Sequence, residues 1–127
     1  MKDLAIQLTH HPGDLARVAQ ALSRRSVNIK ALAALTVGNQ AMVRILPDDV
    51  VAARGALEAA NIHFEEDEVH AVLIENHAGT LAGVADRLGA EGINLKAVYL
   101  TGISDDLVEI AFVSDNPKKV KKLLEEF

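Results

Sequence analysis

His11-Pro12-Gly13-Asp14-Leu15-Ala16 returns as His77-Ala78-Gly79-Thr80-Leu81-Ala82, and Val27-Asn28-Ile29-Lys30-Ala31 returns as Ile93-Asn94-Leu95-Lys96-Ala97. The offset is 66 residues in both cases (77 − 11 and 93 − 27). From His11 to Ala31 the ungapped comparison keeps 10 identities in 21 positions, far above chance. A period this long exceeds a solenoid repeat and suits a small α+β module. The chain reads as two copies of one fold, residues 1–66 and 67–127. The glycine turn and the asparagine that both copies keep are the first places to look for function.

The elements follow outward from the repeat. Leu4, Ile6 and Leu8 alternate with Ala5, Gln7 and Thr9, the period of a strand. His10-His11-Pro12-Gly13 breaks it. Leu15, Val18, Ala19 and Leu22 then form one helical stripe. Asn28 to Val37 is apolar without a helical period and reads as a strand, with Ile29, Ala31, Ala33 and Leu35 on one side. Gly38-Asn39 is a hairpin signal, and Ala41 to Leu46 returns as the next strand. Pro47-Asp48-Asp49 stops it and caps a helix over 50–60. Ile62 to Glu66 reads as a short fourth strand.

The second copy repeats the order. Val69 to Glu75 is a strand, and Leu81, Val84, Ala85 and Leu88 form the helical stripe. Ile93 to Thr101 and Val108 to Val113 make the hairpin, with a longer turn at Gly102-Ile103-Ser104-Asp105-Asp106. Asp115-Asn116-Pro117 starts a last helix, with Val120, Leu123, Leu124 and Phe127 as its stripe. The second copy has no residues for a fourth strand. The order β-α-β-β-α-β is the ferredoxin-like, split βαβ arrangement, an α+β fold with both helices on one face of an antiparallel sheet. Strands apolar on both sides imply that the other face is covered too.

Composition narrows the function classes. Of 127 residues half are hydrophobic and 24% charged, which is globular. A core of roughly 60 residues is marginal alone, so each copy is expected to lean on another module. With no cysteine, disulfide and thiolate chemistry are excluded, and a cytoplasmic location is expected. Met1-Lys2-Asp3-Leu4 runs straight into an alternating strand, so neither a signal nor a transit peptide is expected. No apolar run suits a membrane span. A net charge of −5, with three Phe, one Tyr and no Trp, argues against a nucleic-acid surface.

A helix start after a glycine turn presents backbone N–H groups that have no partner within the helix. With the helix dipole they suit an anion such as a carboxylate, and glycine lets a ligand approach the backbone. Asn28 and Asn94 open the following strands and are expected near that turn. An amide both donates and accepts, so it can hold the carboxylate and the ammonium of a zwitterion. The same residues also have a plainer reading: Gly13 and Gly79 allow a tight turn, Asp14 and Thr80 cap helices, and the asparagines shape the strand start.

These residues resemble a tandem pair of ACT domains. The pattern Asp/Asn-x-Pro-Gly-x-Leu, followed by a helix and a hydrophobic-Asn-hydrophobic strand start, appears twice. The first copy has His10-His11-Pro12-Gly13-Asp14-Leu15 and Val27-Asn28-Ile29. The second has Asn76-His77-Ala78-Gly79-Thr80-Leu81 and Ile93-Asn94-Leu95. The resemblance covers almost the whole chain. It departs at His10, where Asp or Asn is usual, and at Ala78, where Pro is usual, so the two half-sites are unequal. The resemblance implies a non-catalytic regulatory protein that binds an amino acid or similar small carboxylate where ACT modules meet. By carry-over His11, Pro12, Gly13, Asp14, Leu15, Asn28 and Ile29 serve one half-site. Asn76, His77, Ala78, Gly79, Thr80, Leu81, Asn94 and Leu95 serve the other. Lacking a catalytic domain, the chain would act as a stand-alone sensor or a separate regulatory subunit.

The remaining polar clusters suggest no enzyme, cofactor or metal. His10, His11, His63, His70 and His77 show no metal-ligand spacing. Only a symmetric meeting of His11 and His77 would make a metal-responsive ferredoxin-like protein. Asp48-Asp49 and Asp105-Asp106 suit a cap and a turn. Lys118, Lys119, Lys121 and Lys122 read as a solvated helix face, or as a docking surface for an acidic partner. With no fourth strand in the second copy, the strand Val69–Glu75 is expected to keep an open edge, and a homodimer follows. A second function reading is a regulatory subunit that acts mainly by gripping a metabolic enzyme.

Overall fold

Glycine and short polar runs cut the described residues into ten elements. They are β1 (Lys2–Leu8), α1 (Asp14–Arg24), β2 (Ile29–Val37), β3 (Gln40–Pro47), α2 (Val50–Ala59), β4 (Glu65–Glu75), α3 (Thr80–Ala90), β5 (Leu95–Ser104), β6 (Leu107–Ser114) and α4 (Pro117–Leu124). The computed structural model describes residues 1–125; Phe127 of the expected last stripe lies outside them. The chain divides into two compact units, Lys2–Asp67 and Met1 with the residues from Glu68 onward. Both are α+β, as the repeat requires. Among the described residues no helix is long and apolar enough to cross a membrane.

In the first unit β1 and β2 both pair antiparallel with β3, with Ile6 opposite Val43 and Leu35 opposite Met42. Leu4, Ile6, Val43 and Ile45 point to one face and meet Val18, Ala21 and Leu22 of α1 and Ala53, Ala56 and Leu57 of α2. In the second unit β4 and β5 pair antiparallel with β6. Val72, Ile74, Val108, Ile110 and Phe112 meet Val84 and Leu88 of α3 and Val120 and Leu124 of α4. Leu22 and Leu88 are matched by the 66-residue offset, and each is 1% exposed.

Helix boundaries follow local chemistry. Gly13 and Gly79 are the N-caps of α1 and α3, at φ 92° and 91°. That left-handed conformation is cheap only for glycine. Asp49 caps α2 through Ala52 N, 3.1 Å away, and Asn116 caps α4 through Lys119 N, with Pro117 beside it. Asn61, at φ 57°, ends the turn after α2, and Ile62 N donates to Leu57 O.

Three local readings are corrected. Ile62 to Glu66 and Val69 to Glu75 are not two strands. Ile62 is buried in the core, and Glu65–Glu75 is one continuous strand, since no glycine or proline interrupts the acidic run. The second hairpin turn is no longer than the first. Only Asp105-Asp106 turn, and β5 takes its extra residue as an irregularity between Leu100 and Gly102. A similar irregularity between Ile29 and Ala31 takes Ile29 off the face of Ala31, and Ile29 packs against the first core.

The face without helices is unevenly exposed. Ala5, Ala31, Ala111 and Val113 on it are buried, whereas Leu35 and Val37 at the first hairpin are 68% and 69% exposed. In the first unit this face holds an ion cluster. Arg44 Nη1 donates to Asp3 at 3.1 and 3.2 Å and to Asp67 at 3.1 Å, with the Asp3 side chain fully buried.

Candidate functional site

After β1 the chain reverses through Thr9–Gly13. His10 takes a left-handed φ of 59° there, and Gly13 another of 92°. The loop closes on the side chain of Asp14. Its Oδ2 accepts from Thr9 N at 2.9 Å, from Thr9 Oγ1 at 2.7 Å and from His11 N at 3.1 Å. The Thr9 hydroxyl above all, then the His11 amide, holds the Asp14 carboxyl below its usual range. His11 Nδ1 lies 3.0 Å from Thr9 Oγ1.

This loop borders an open cleft of about 530 Å³ lined by Leu8, His10 to Ala16, Thr36 and Ala41. The five first-loop candidates His11, Pro12, Gly13, Asp14 and Leu15 all line it. Leu15 and Ala16 sit in the first turn of α1, where Gly13 offers no side chain to cap their N–H groups. The cleft therefore combines two helix-start donors, a carboxylate, two imidazoles and an apolar wall. Thr9, Thr36 and Ala41 were not singled out from the sequence. Thr9 was legible only as the residue before the turn, and Thr36 and Ala41 arrive by hairpin pairing.

The second loop keeps the backbone and changes the chemistry. Gly79 N-caps α3, and Thr80 N donates to His77 O at 3.2 Å, as Asp14 N does to His11 O at 3.3 Å. Thr80 stands where Asp14 stands. Asn76 N is held by Asp106 O at 2.7 Å, and the His77 and Glu75 side chains approach to 3.8 Å. Asn76, His77, Ala78, Gly79 and Leu81 are exposed, and Thr80 is half-buried.

The asparagines are not beside the glycine turns of their own copies. An 11-residue helix, about 16 Å long, separates the Gly13 end of α1 from the Asn28 end. The reason is topological: the helix runs back along the sheet before the next strand starts, so turn and strand start fall at opposite ends. Asn28 is exposed beside a cavity of about 470 Å³ with Ala19, Ser23, Ser26 and Val27. Its backbone pairs with Asp48, N to Oδ1 at 3.1 Å and O from Asp48 N at 3.0 Å. Asn94 repeats the pattern, its O accepting from Asp115 N at 3.2 Å. Ile29 is turned into the core, and Leu95 is 37% exposed.

Among the described residues no group of three or more His, Cys, Asp or Glu is placed to hold a metal ion. His70 lies on the helix-covered face, where burial and then the charge of Lys121 push its imidazole down from the usual value.

No family model matches the chain, and no curated protein matches it. Solved structures do. Protein BT0572 from Bacteroides thetaiotaomicron superposes with a TM-score of 0.86 at 25% identity, covering 98% of this chain and 86% of that one. The regulatory subunit of aspartate kinase from Thermus thermophilus, in its ligand-free form, gives 0.71 at 16% identity over 98% and 90%. Its counterpart from Thermus flavus gives 0.66 at 20% identity over the same shares. The chain has the ACT-type ferredoxin-like fold that its two glycine motifs resemble.

Proposed function

We propose that this chain is a non-catalytic regulatory protein built of two ACT repeats, 1–66 and 67–127. It binds an amino acid or a related small carboxylate where ACT modules meet, the second module supplied by another copy of the chain. The observation that carries the reading is the 530 Å³ cleft, which gathers all five first-loop candidates around the start of α1. Its size suits a single small metabolite. The regulatory part rests on the shared fold of the aspartate kinase regulatory subunits. A bound ligand acts by favouring one arrangement of modules over another, which needs differential affinity for the two.

The homodimer is supported by two apolar edge strands. β2 and β5 each pair on one side only, and Leu35, Val37 and Ile103 on them are about two-thirds exposed. Such edges invite a second chain. Light scattering should give twice the 13.6 kDa chain mass.

A thermal-shift screen of the twenty amino acids tests the ligand. One present at 100 times its Kd should add about 2.7 kcal/mol of stability. No shift with any of them refutes this reading. The exposed Leu35, Val37 and Met42 cluster favours a second reading, a regulatory subunit that grips a metabolic enzyme. In that case the chain would co-purify with an enzyme and show no amino-acid shift.

A further inference from the structure

The protons of the first loop can be counted. The Asp14 carboxylate only accepts, so in the 2.7 Å contact the Thr9 hydroxyl is the donor. That hydroxyl has one hydrogen, and it is spent. Toward His11 Nδ1, 3.0 Å away, Thr9 Oγ1 can only accept. Nδ1 therefore carries the proton, and in the neutral ring Nε2 carries the lone pair. A chain of hydrogen bonds runs from His11 through Thr9 to Asp14 and fixes the tautomer of the imidazole. Asp14 spends Oδ2 on all three of its bonds, and Oδ1 makes none among the described residues. His11 and Asp14 both line the 530 Å³ cleft.

From this we infer that the first loop reads the ammonium end of its ligand, by His11 Nε2 and Asp14 Oδ1. The backbone donors of Thr9 and His11, which would otherwise face an incoming carboxylate, already hold Asp14's own. A second carboxylate brought beside it would be repelled, whereas an ammonium offers three donors and no acceptor to two waiting acceptors. His11 and Asp14 are thus specificity-determining residues, and Thr9 is the positioning residue between them. The inference rests on the proposed ligand-binding reading and refines it: the ligand must carry a protonated amine.

The test uses the isotope-labelled full chain and amide chemical shifts. Each of the twenty amino acids is titrated beside its C-terminal amide, which keeps the ammonium, and its N-acetyl derivative, which keeps the carboxylate. For an amino acid that shifts residues 9–16, the amide should retain binding. The N-acetyl compound should bind about ten-fold more weakly or worse. Asp14→Asn, which keeps an acceptor and loses the charge, should narrow that gap. N-acetyl compounds that bind residues 9–16 as well as the amides do would overturn the inference and leave amino-acid binding standing. No shift at residues 9–16 or 75–81 with any compound would overturn both.

Discussion

Gly13 and Gly79 hold φ angles one degree apart, and each N-caps an eleven-residue helix. The side chain that follows is Asp14 in one loop and Thr80 in the other. In the first loop a carboxylate knots three donors together; in the second the matched position is uncharged. The helix-free sheet faces differ in the same way. Asp3 and Arg44 occupy the positions that Val69 and Ala111 take in the second unit, since Arg44 pairs with Ala5 and Ala111 with Ala71. The first pair belongs to an ion cluster and the second pair is apolar. Duplication kept the glycines that open α1 and α3 and the matched core leucines Leu22 and Leu88.

The largest expected effect tests the sheet faces. Arg44→Ala takes the guanidinium from a fully buried Asp3 and should cost about 3–5 kcal/mol by chemical denaturation. A cost near zero would mean that the ion cluster and its apolar counterpart are interchangeable. Next come the matched core leucines. Leu22→Ala and Leu88→Ala should each cost about 2–5 kcal/mol, since both are fully packed. A large gap between them would mean that the two cores are not equally well filled.

Gly13→Ala and Gly79→Ala should each cost about 1–2 kcal/mol. The site of an added Cβ is open space in both loops, so the penalty is conformational and should be equal. Unequal costs would show that the loops differ in backbone as well as in side chain.

The smallest effect separates Asp14 from Thr80. The Asp14 carboxyl is held below its ordinary value of 3.8. Its bonds to Thr9 and His11 therefore contribute fully above pH 3.8 and are lost as pH falls through the lower folded value. The amide resonances of Thr9 and His11 should report a midpoint below 3.8. Thr80 has no group to titrate. A midpoint at or above 3.8 would remove Asp14 from the first loop's network.

The candidate site was half legible. His11, Gly13 and Asp14 fall on the cleft because a glycine turn before an apolar stripe sets the start of α1 locally. The position of Asn28 relative to Gly13 could not be read, because it depends on which way the helix runs over the sheet. The place of Thr9 in the loop could not be read, since it links two other side chains through one hydroxyl.

Local patterning determined by itself the doubling, the alternation of strands and helices, the helix starts after Asp48-Asp49 and at Asn116-Pro117, and the glycine turns before α1 and α3. These depend on neighbours a few residues away. Only the tertiary structure decided that β4 is one strand, that Ile29 leaves the face of Ala31, and that the extra residue in β5 distorts a strand rather than lengthens a turn. Register and pairing are set by residues far apart in the chain, and a period of two cannot say which partner a strand will find.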